Sequence, residues 1–386
     1  MKVVLLPNMV EFPSVSMQRY ADELGRALRR VAGKEWEIEE LICHHANRAA
    51  RLIPGTQGEK MASRLGRFVK YPMLASRTAG DVYHVLDHSH ANLTLALNGD
   101  KTIITCHDII PLLASLKKVP IASGRLTKYT FPQRIRCMKR CRYILTVSEA
   151  TKRDLCEYGG VDPAQVIVAH NGVNTTFRPD PVGDTSREER TAAIRKKHGF
   201  PEGAKVILHV GTATRYKNTP ALLRALKLLL EEPSTKNEVW LLRAGAPFYE
   251  DEDALIDELG IRQRVVHAGR LPDDEALADY YRAADVFAFP SLYEGFGWPP
   301  LESLACGTPV VTSNVASLPE VVGDAGLTVD PRDPAALAAA LTKLLAETGS
   351  VRRARVAKSL SQAGHFTWDN CARVALDTYQ KVAAGS

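Results

Sequence analysis

Two glutamates, Glu294 and Glu302, stand eight positions apart in the run Phe289-Pro-Ser-Leu-Tyr-Glu-Gly-Phe-Gly-Trp-Pro-Pro-Leu-Glu-Ser-Leu-Ala-Cys-Gly-Thr-Pro309. An apolar strand ends at Phe289, a glycine-bearing loop runs from Glu294 to Trp298, and Pro299 and Pro300 are placed to open a helix with Glu302 in its first turn. Backbone N–H groups between Gly295 and Leu301, together with the helix dipole, suit a phosphate or a sugar oxygen. Two carboxylates in such a place would weaken binding of a bare diphosphate. They suit hydrogen bonds to two sets of hydroxyls on one elongated ligand. A second group, His84, Asp87, His88 and His90, offers three histidines and a carboxylate, which is also a possible zinc set.

Strands at the right intervals are needed to carry these residues. Apolar runs at Lys2 to Leu6, Val82 to Leu86, Thr102 to Thr105, Tyr143 to Val147 and Val166 to Val168 alternate with helix-length segments. That alternation predicts a parallel sheet covered by helices. Asp180 to Arg195 is charged and poor in large apolar residues and reads as a linker. The pattern then restarts at Lys205 to Val210, with further strands at Glu238 to Arg243, Arg264 to Ala268, Val286 to Phe289 and Pro309 to Thr312. The chain reads as two α/β domains, 1–180 and 181–367, followed by a last helix within 368–386.

The 386 residues are 45% hydrophobic and 24% charged, the composition of a globular protein and not of a disordered or membrane chain. Ser303 to Pro319, the longest stretch without Asp, Glu, Lys or Arg, is interrupted by Gly307 and two prolines, which excludes a membrane helix there. Only Val3 to Leu6 separates Lys2 from Pro7, too short for a signal peptide, so the expected location is cytoplasmic. Seven cysteines without a C-x-x-C pair favour reduced thiols, with no structural metal expected. Residues 1–180 hold 26 Lys and Arg against 17 Asp and Glu, a net charge of 26 − 17 = +9; the remainder, with 24 against 27, carries −3. Nine of the cations, from Lys117 to Arg142, have no acid among them, which marks an anion-seeking face.

The segment around Glu294 and Glu302 closely resembles family 4 of the retaining nucleotide-sugar glycosyltransferases. The likeness extends to Thr105-Cys-His-Asp108, Val147-Ser-Glu149, His170-Asn-Gly-Val-Asn174, Val210-Gly-Thr212 with Arg215, Lys217 and Asn218, and Pro319-Glu-Val-Val-Gly-Asp324. It implies a GT-B architecture, two Rossmann-like domains facing across a cleft, with the 368–386 helix packing back on the first. It implies a hexose (mannose, glucose or N-acetylglucosamine) moved from a UDP- or GDP-linked sugar to an acceptor hydroxyl, in cell-envelope or polysaccharide synthesis. Glu302 would take the ribose hydroxyls, and Glu294 a hydroxyl of the transferred sugar. Lys217 and Arg215 would take the diphosphate, the loops Gly211-Thr212 and Gly295-Phe296-Gly297-Trp298 lining the donor. His107 would hold the reacting face of the sugar. The catalytic set is then Glu294, His107 and Lys217, with Asp87, His88, Asp108, Ser14 and Ser16 on the acceptor side. Because such enzymes manage diphosphate charge with Lys, Arg and helix dipoles, the resemblance implies no metal or other cofactor.

Two other readings compete: a nucleotide-sugar 2-epimerase of the same fold, which is expected to show a different carboxylate and histidine set, and a non-catalytic sugar-nucleotide-binding subunit, against which the intact Glu294, Glu302 and Lys217 speak. An NAD-dependent dehydrogenase is excluded, since no G-x-G-x-x-G follows either opening strand. The basic run, interleaved with Leu116, Val119, Ile121, Tyr129, Phe131, Ile135 and Met138, predicts peripheral contact with an anionic membrane and a glycan or lipid-linked acceptor. Nothing in the chain resembles a nucleic-acid-binding module.

Overall fold

The computed structural model describes residues 1–10, 15–44, 56–122, 124, 126–179, 186–212, 214–233 and 238–385. By its internal contacts the chain divides into two compact units. One comprises Met1–Lys118, Ala122–Gly172 and Trp368–Ser386; the other comprises Val119–Ile121 and Val173–Thr367.

The first unit is built on a six-stranded parallel sheet: β1 (Lys2–Leu6), β2 (Glu37–Glu40), β3 (Val82–Val85), β4 (Thr102–Cys106), β5 (Tyr143–Thr146) and β6 (Val166–Val168). The spatial order is β2-β1-β3-β4-β5-β6. Val3 to Leu6 are fully buried, as expected for a parallel strand covered on both faces. The connections leave β1 and β3 in opposite directions, which opens a crevice at their carboxyl ends. The last helix, Trp368–Ala383, belongs to this unit and packs along the helix Val15–Val31. Ala372 and Ala375 on its buried face permit close approach, and Tyr379 reaches inward to His84, Oη to Nδ1 being 2.7 Å.

The second unit holds β7 (Lys205–Gly211), β8 (Val239–Gly245), β9 (Val265–Gly269), β10 (Val286–Phe289), β11 (Val310–Ser313) and β12 (Leu327–Val329). Its order β12-β11-β10-β7-β8-β9 is that of the Rossmann fold, with the switch point between β7 and β10. Leu222, Leu223, Leu226 and Leu229 fall on one face of the helix Thr219–Glu231 and join Leu337, Leu341 and Leu344 against Ile207, Leu241, Ala288 and Val311. Truncating a fully buried leucine of this set to alanine costs about 2–5 kcal/mol.

The structure departs from the sequence reading in three places. The segment expected as a linker instead forms the helix Ser186–Lys197 in its described part. Ile194 anchors it in the core, and Arg195 pairs with Asp285 at 2.8 Å. The unit boundary falls at 172/173 rather than 180/181. Strands β2 and β12 were not expected: the first is an edge strand of sequence Glu-Ile-Glu-Glu, and the second has only three residues.

Candidate active site

The switch point of the second sheet gathers the loops after β7 and β10. After Gly211 the chain makes a tight turn, Arg215–Lys217, and Asn218 takes a left-handed conformation, φ 57°, before the helix begins. The Asn218 amide donates to the carbonyl oxygens of Pro290 at 3.0 Å and Pro331 at 2.7 Å, while Leu292 N–H donates to Tyr216 O at 2.7 Å. These bonds tie the two loops together. Lys217 Nζ consequently lies 2.8 Å from Glu294 Oε1, with 10% and 11% of the two side chains exposed, and 4.5 Å from the centre of the Phe289 ring. An ammonium over an aromatic face, paired with a carboxylate, is stabilised on two sides.

The loop that carries Glu294 is held from beneath. Ser317 Oγ bridges the carbonyl oxygens of Glu294 at 3.0 Å and Phe296 at 2.6 Å. Phe296 is buried against Phe366 and Trp298, so its backbone is what it can offer a ligand. Gly297 caps the helix Trp298–Ala305 with φ 112°, where a Cβ would come within 2.9 Å of Leu318 Cδ2. Only glycine meets both conditions. Glu302, one turn into the helix, is 2% exposed, and its Oε2 accepts from the Tyr281 hydroxyl at 2.9 Å. Tyr281 is itself fully buried, edge-on to Phe287 and Phe177.

Arg215 stands apart from this pair. Its guanidinium bonds Asp251 at 2.5 Å and stacks 4.0 Å over Tyr249, in an exposed pair that stabilises little and exchanges readily for another anion. Thr212 is exposed and Gly211 buried; a Cβ on Gly211 would sit 3.4 Å from His209 Nε2 and 3.7 Å from Lys217 Cγ. Ser317, Tyr281 and His209 were missed by the sequence reading. His209 is fully buried on β7, donates Nδ1–H to Ala288 O at 2.9 Å and has no hydrogen-bond partner at Nε2 among the described residues. Burial, with Arg243 nearby, lowers its pKa to about 3.

The first unit brings together another group at the carboxyl ends of β1, β3 and β4. Asp87 accepts from Asn8 Nδ2 at 2.8 Å, Ser89 N at 2.7 Å and Ser89 Oγ at 2.8 Å. Burial opposes its ionisation, yet His88, His107 and these donors hold its pKa well below the usual carboxylate range. His107 Nε2 lies 2.8 Å from Leu86 O, its backbone N–H points at His88 Nδ1 at 3.4 Å, and Tyr20 packs edge-on to its ring at 4.6 Å. Asp108 Oδ1 accepts from Ile110 N–H at 2.9 Å. Ser16 is exposed in the first turn of the helix Val15–Val31, and Ser14 lies outside the described residues. His84 spends both ring nitrogens on Tyr379 and Thr105, so it does not join the other histidines as a zinc ligand. Among the described residues no group of three His, Cys, Asp or Glu side chains is placed to hold a metal, and no helix is long and apolar enough to cross a membrane.

The family model for glycosyl transferases group 1 matches residues 190–360, and that for Glycosyltransferase Family 4 matches residues 17–177. O-antigen chain mannosyltransferase B of Escherichia coli is 30% identical, across 98% of this chain and 100% of its own length. Among solved structures, sucrose-phosphate synthase of Thermosynechococcus elongatus superposes with a TM-score of 0.76 at 20% identity, covering all of both chains. HepE of Anabaena, in complex with UDP and glucose, gives 0.72 at 16% identity, covering 98% of this chain and 99% of that one. The structural likenesses establish the α/β GT-B fold, and with the family matches over both units the chain belongs to glycosyltransferase family 4, the group 1 glycosyl transferases.

Proposed function

We propose that the protein moves a hexose from a nucleotide diphosphate sugar to an acceptor hydroxyl, with retention of anomeric configuration, in the synthesis of a cell-envelope polysaccharide. The observation that carries this reading is the buried Lys217–Glu294 pair at the β7/β10 switch point, beside a helix start whose Glu302 is held by Tyr281. Lys217 turns to the diphosphate and stabilises the negative charge that grows on it as the glycosidic bond breaks. Arg215, released from Asp251, adds to that field. Glu294 then accepts a hydroxyl of the sugar, and Glu302 accepts the ribose hydroxyls. Gly211, Thr212 and the backbone of Gly295 to Trp298 line the donor. The likeness to a protein named as a mannosyltransferase favours mannose over glucose or N-acetylglucosamine.

In the reaction the diphosphate leaves while the acceptor oxygen enters on the same face of the sugar, and the acceptor proton passes to the leaving oxygen. No enzyme nucleophile is needed, and positioning and electrostatics supply the rate. His107 holds the reacting face, and Asp87, His88, Asp108 and the Ser14–Ser16 region serve the acceptor. Lys217, Arg215 and the helix N-terminus do the work that a divalent cation does in other transferases, so no metal is required. The enzyme works in the cytoplasm, peripherally at the membrane, where a lipid-linked glycan is available.

The test is to supply UDP- and GDP-hexoses with a lipid-linked glycan acceptor and to determine the anomeric configuration of the product, with and without EDTA. A retained configuration in both conditions is expected. An inverted product, or activity lost to EDTA and restored by Mg²⁺, overturns the mechanism. Release of free nucleotide and a 2-epimeric sugar from donor alone overturns the transferase reading.

A further inference from the structure

Strands β1 and β3 stay paired to their last residues: Leu6 stands opposite Val85, and Leu86 N–H still donates to Leu6 O at 3.0 Å. Two residues past Leu6, Asn8 therefore comes to face Asp87 at the floor of the crevice that these strands open. Asn8 Nδ2 donates to Asp87 Oδ2 at 2.8 Å, and both residues are buried, at 7% and 4% exposure. The backbone that carries Asn8 is fixed on either side. The Tyr71 hydroxyl donates to Pro7 O at 2.7 Å, and Val10 N–H donates to Cys43 O at 3.2 Å. Asp87 in turn caps the His88–Leu95 segment, its Oδ1 accepting from Ser89 N–H at 2.7 Å.

The chemistry of this pair decides which way the Asn8 amide lies. Burial opposes ionisation of Asp87, but His88, His107 and its donors hold it as a carboxylate, so both of its oxygens only accept. Turning the Asn8 amide over would set Oδ1 against Asp87 Oδ2 at hydrogen-bond distance, two acceptors with no proton between them. Nδ2 is thereby committed to Asp87, and Oδ1 turns away from it. That oxygen is buried and has no hydrogen-bond partner among the described residues. A buried carbonyl oxygen without a donor is costly, and its lone pairs call for an N–H or O–H that a ligand can bring. Asp87, by contrast, already takes three donors: Asn8 Nδ2, Ser89 N–H and Ser89 Oγ. An anion is unsuited to this place, because an amide oxygen beside a carboxylate repels it. A neutral hydroxyl is suited.

We propose that Asn8 Oδ1 receives a hydroxyl of the sugar acceptor in the β1/β3 crevice, and that Asp87 is a positioning residue that acts through Asn8 rather than on the sugar itself. The proposal rests on the reading of the first unit as the one that binds the sugar acceptor. It makes Asn8 a specificity-determining residue. A sugar that carries the hydroxyl is retained, and one that lacks it leaves Oδ1 buried and unpaired.

The test is binding of three simple glycosides to the intact protein, with UDP or GDP present in excess, followed by ligand-observed NMR titration. The probes are methyl α-mannoside, methyl α-glucoside and methyl N-acetyl-α-glucosaminide, each with its monodeoxy analogues. In the parent protein, deletion of one hydroxyl should weaken binding about tenfold, as loss of one hydrogen bond to a buried group implies. N8A should bind the complete glycoside about tenfold more weakly and should no longer distinguish it from that deoxy analogue. D87N should weaken binding when made alone and cost nothing further in N8A/D87N, whereas a merely structural Asp87 would add its loss to that of N8A. Thermal unfolding checks each variant, and N8L, close in shape to asparagine but without polar atoms, replaces N8A if the alanine variant does not fold. Failure of the parent to bind any of the three glycosides overturns the proposal. So does equal binding of all deoxy analogues by the parent, or an unchanged hydroxyl preference in N8A; additive losses overturn the role given to Asp87. The titration involves no turnover, so it can fail while sugar transfer is demonstrated, or succeed where transfer is not.

Discussion

Lys217 Nζ and Glu294 Oε1, 2.8 Å apart, neutralise each other in a site from which water is nearly excluded. Removing one partner of such a pair strands the other charge, at a cost of about 3–5 kcal/mol. E294A should therefore unfold at lower urea concentration than the parent, and E294A/K217A should recover part of the loss. The cycle is read by equilibrium unfolding, and additive losses would show that the pair is not coupled. In turnover E294A should lose more in kcat than in nucleotide affinity, and K217A should lose both.

Glu302 and Tyr281 make a second test. If the carboxylate takes two ribose hydroxyls, E302A should weaken UDP or GDP binding by about 1.5–3 kcal/mol per lost bond, measured by calorimetry. Y281F removes the donor that orients Glu302 and should weaken nucleotide binding less than E302A does. Unchanged affinity in E302A would assign the pair to the core alone.

Gly297 joins loop and helix by a conformation that other residues adopt at a cost of about 1–3 kcal/mol. G297A adds a contact 2.9 Å from Leu318 Cδ2. The variant should be destabilised and should bind nucleotide more weakly, because the N–H groups of 295–298 move with the helix start. Thermal unfolding and nucleotide titration of the same sample check both effects.

How far the sequence revealed this arrangement depended on whether the signal was local. Glu294, Gly297, Pro300 and Glu302 lie within nine residues and announce a loop, a cap and a helix. Tyr281 and Ser317 reach that loop from 21 and 23 residues away, and no spacing rule connects a tyrosine near the end of one helix to a glutamate in the next. Strand β2 escaped notice because an edge strand need not be apolar, and three of its four residues are glutamates. The helix Ser186–Lys197 was read as a linker because few residues, Ile194 among them, mark its buried side. Ten of the twelve strands among the described residues were legible, since buried parallel strands are continuous apolar runs.

The buried histidines give a pH dependence. His84 is fully enclosed, with burial and the neighbouring His107 lowering its pKa to about 3, against about 6.5 in an unfolded chain. A group depressed in this way is neutral when folded and takes up a proton on unfolding. Its stabilising contribution is present above pH 6.5 and is lost as pH falls towards its folded value. Between pH 7 and pH 5 His84 should account for a loss on the order of 2 kcal/mol. H84Q, which keeps an amide for Thr105 and Tyr379, should show a shallower decline in urea midpoint over that interval. An equal decline in both proteins would mean that His84 is not a source of acid sensitivity.

The basic face of the first unit makes the last prediction, and here the structure revises the residues involved. Phe131, Ile135 and Met138 are buried in the domain at 2%, 5% and 0% exposure, so they cannot enter a bilayer. The apolar groups that do stand out are Leu116, Leu126 and Tyr129, at 47%, 70% and 63%, with Phe68 and Val69 on the turn Gly66–Lys70 that packs against the same His88–Leu95 segment. Lys117, Lys118, Lys128, Lys139 and Arg140 are exposed among or near them, and Arg125 lies outside the described residues. Apolar side chains set among cations suit an anionic leaflet, each cation near the surface adding about 1 kcal/mol and salt screening that term. Sedimentation with phosphatidylglycerol vesicles should exceed that with neutral vesicles and fall as salt rises. Changing Lys117, Lys118, Lys139 and Arg140 to glutamine should reduce binding mainly at low salt. Changing Leu126 and Tyr129 to serine should reduce it at all salt concentrations, because the apolar contribution is unscreened. Equal recovery in the supernatant with both vesicle types would refute membrane attachment, and F131S is no substitute test, since it would unpack the core.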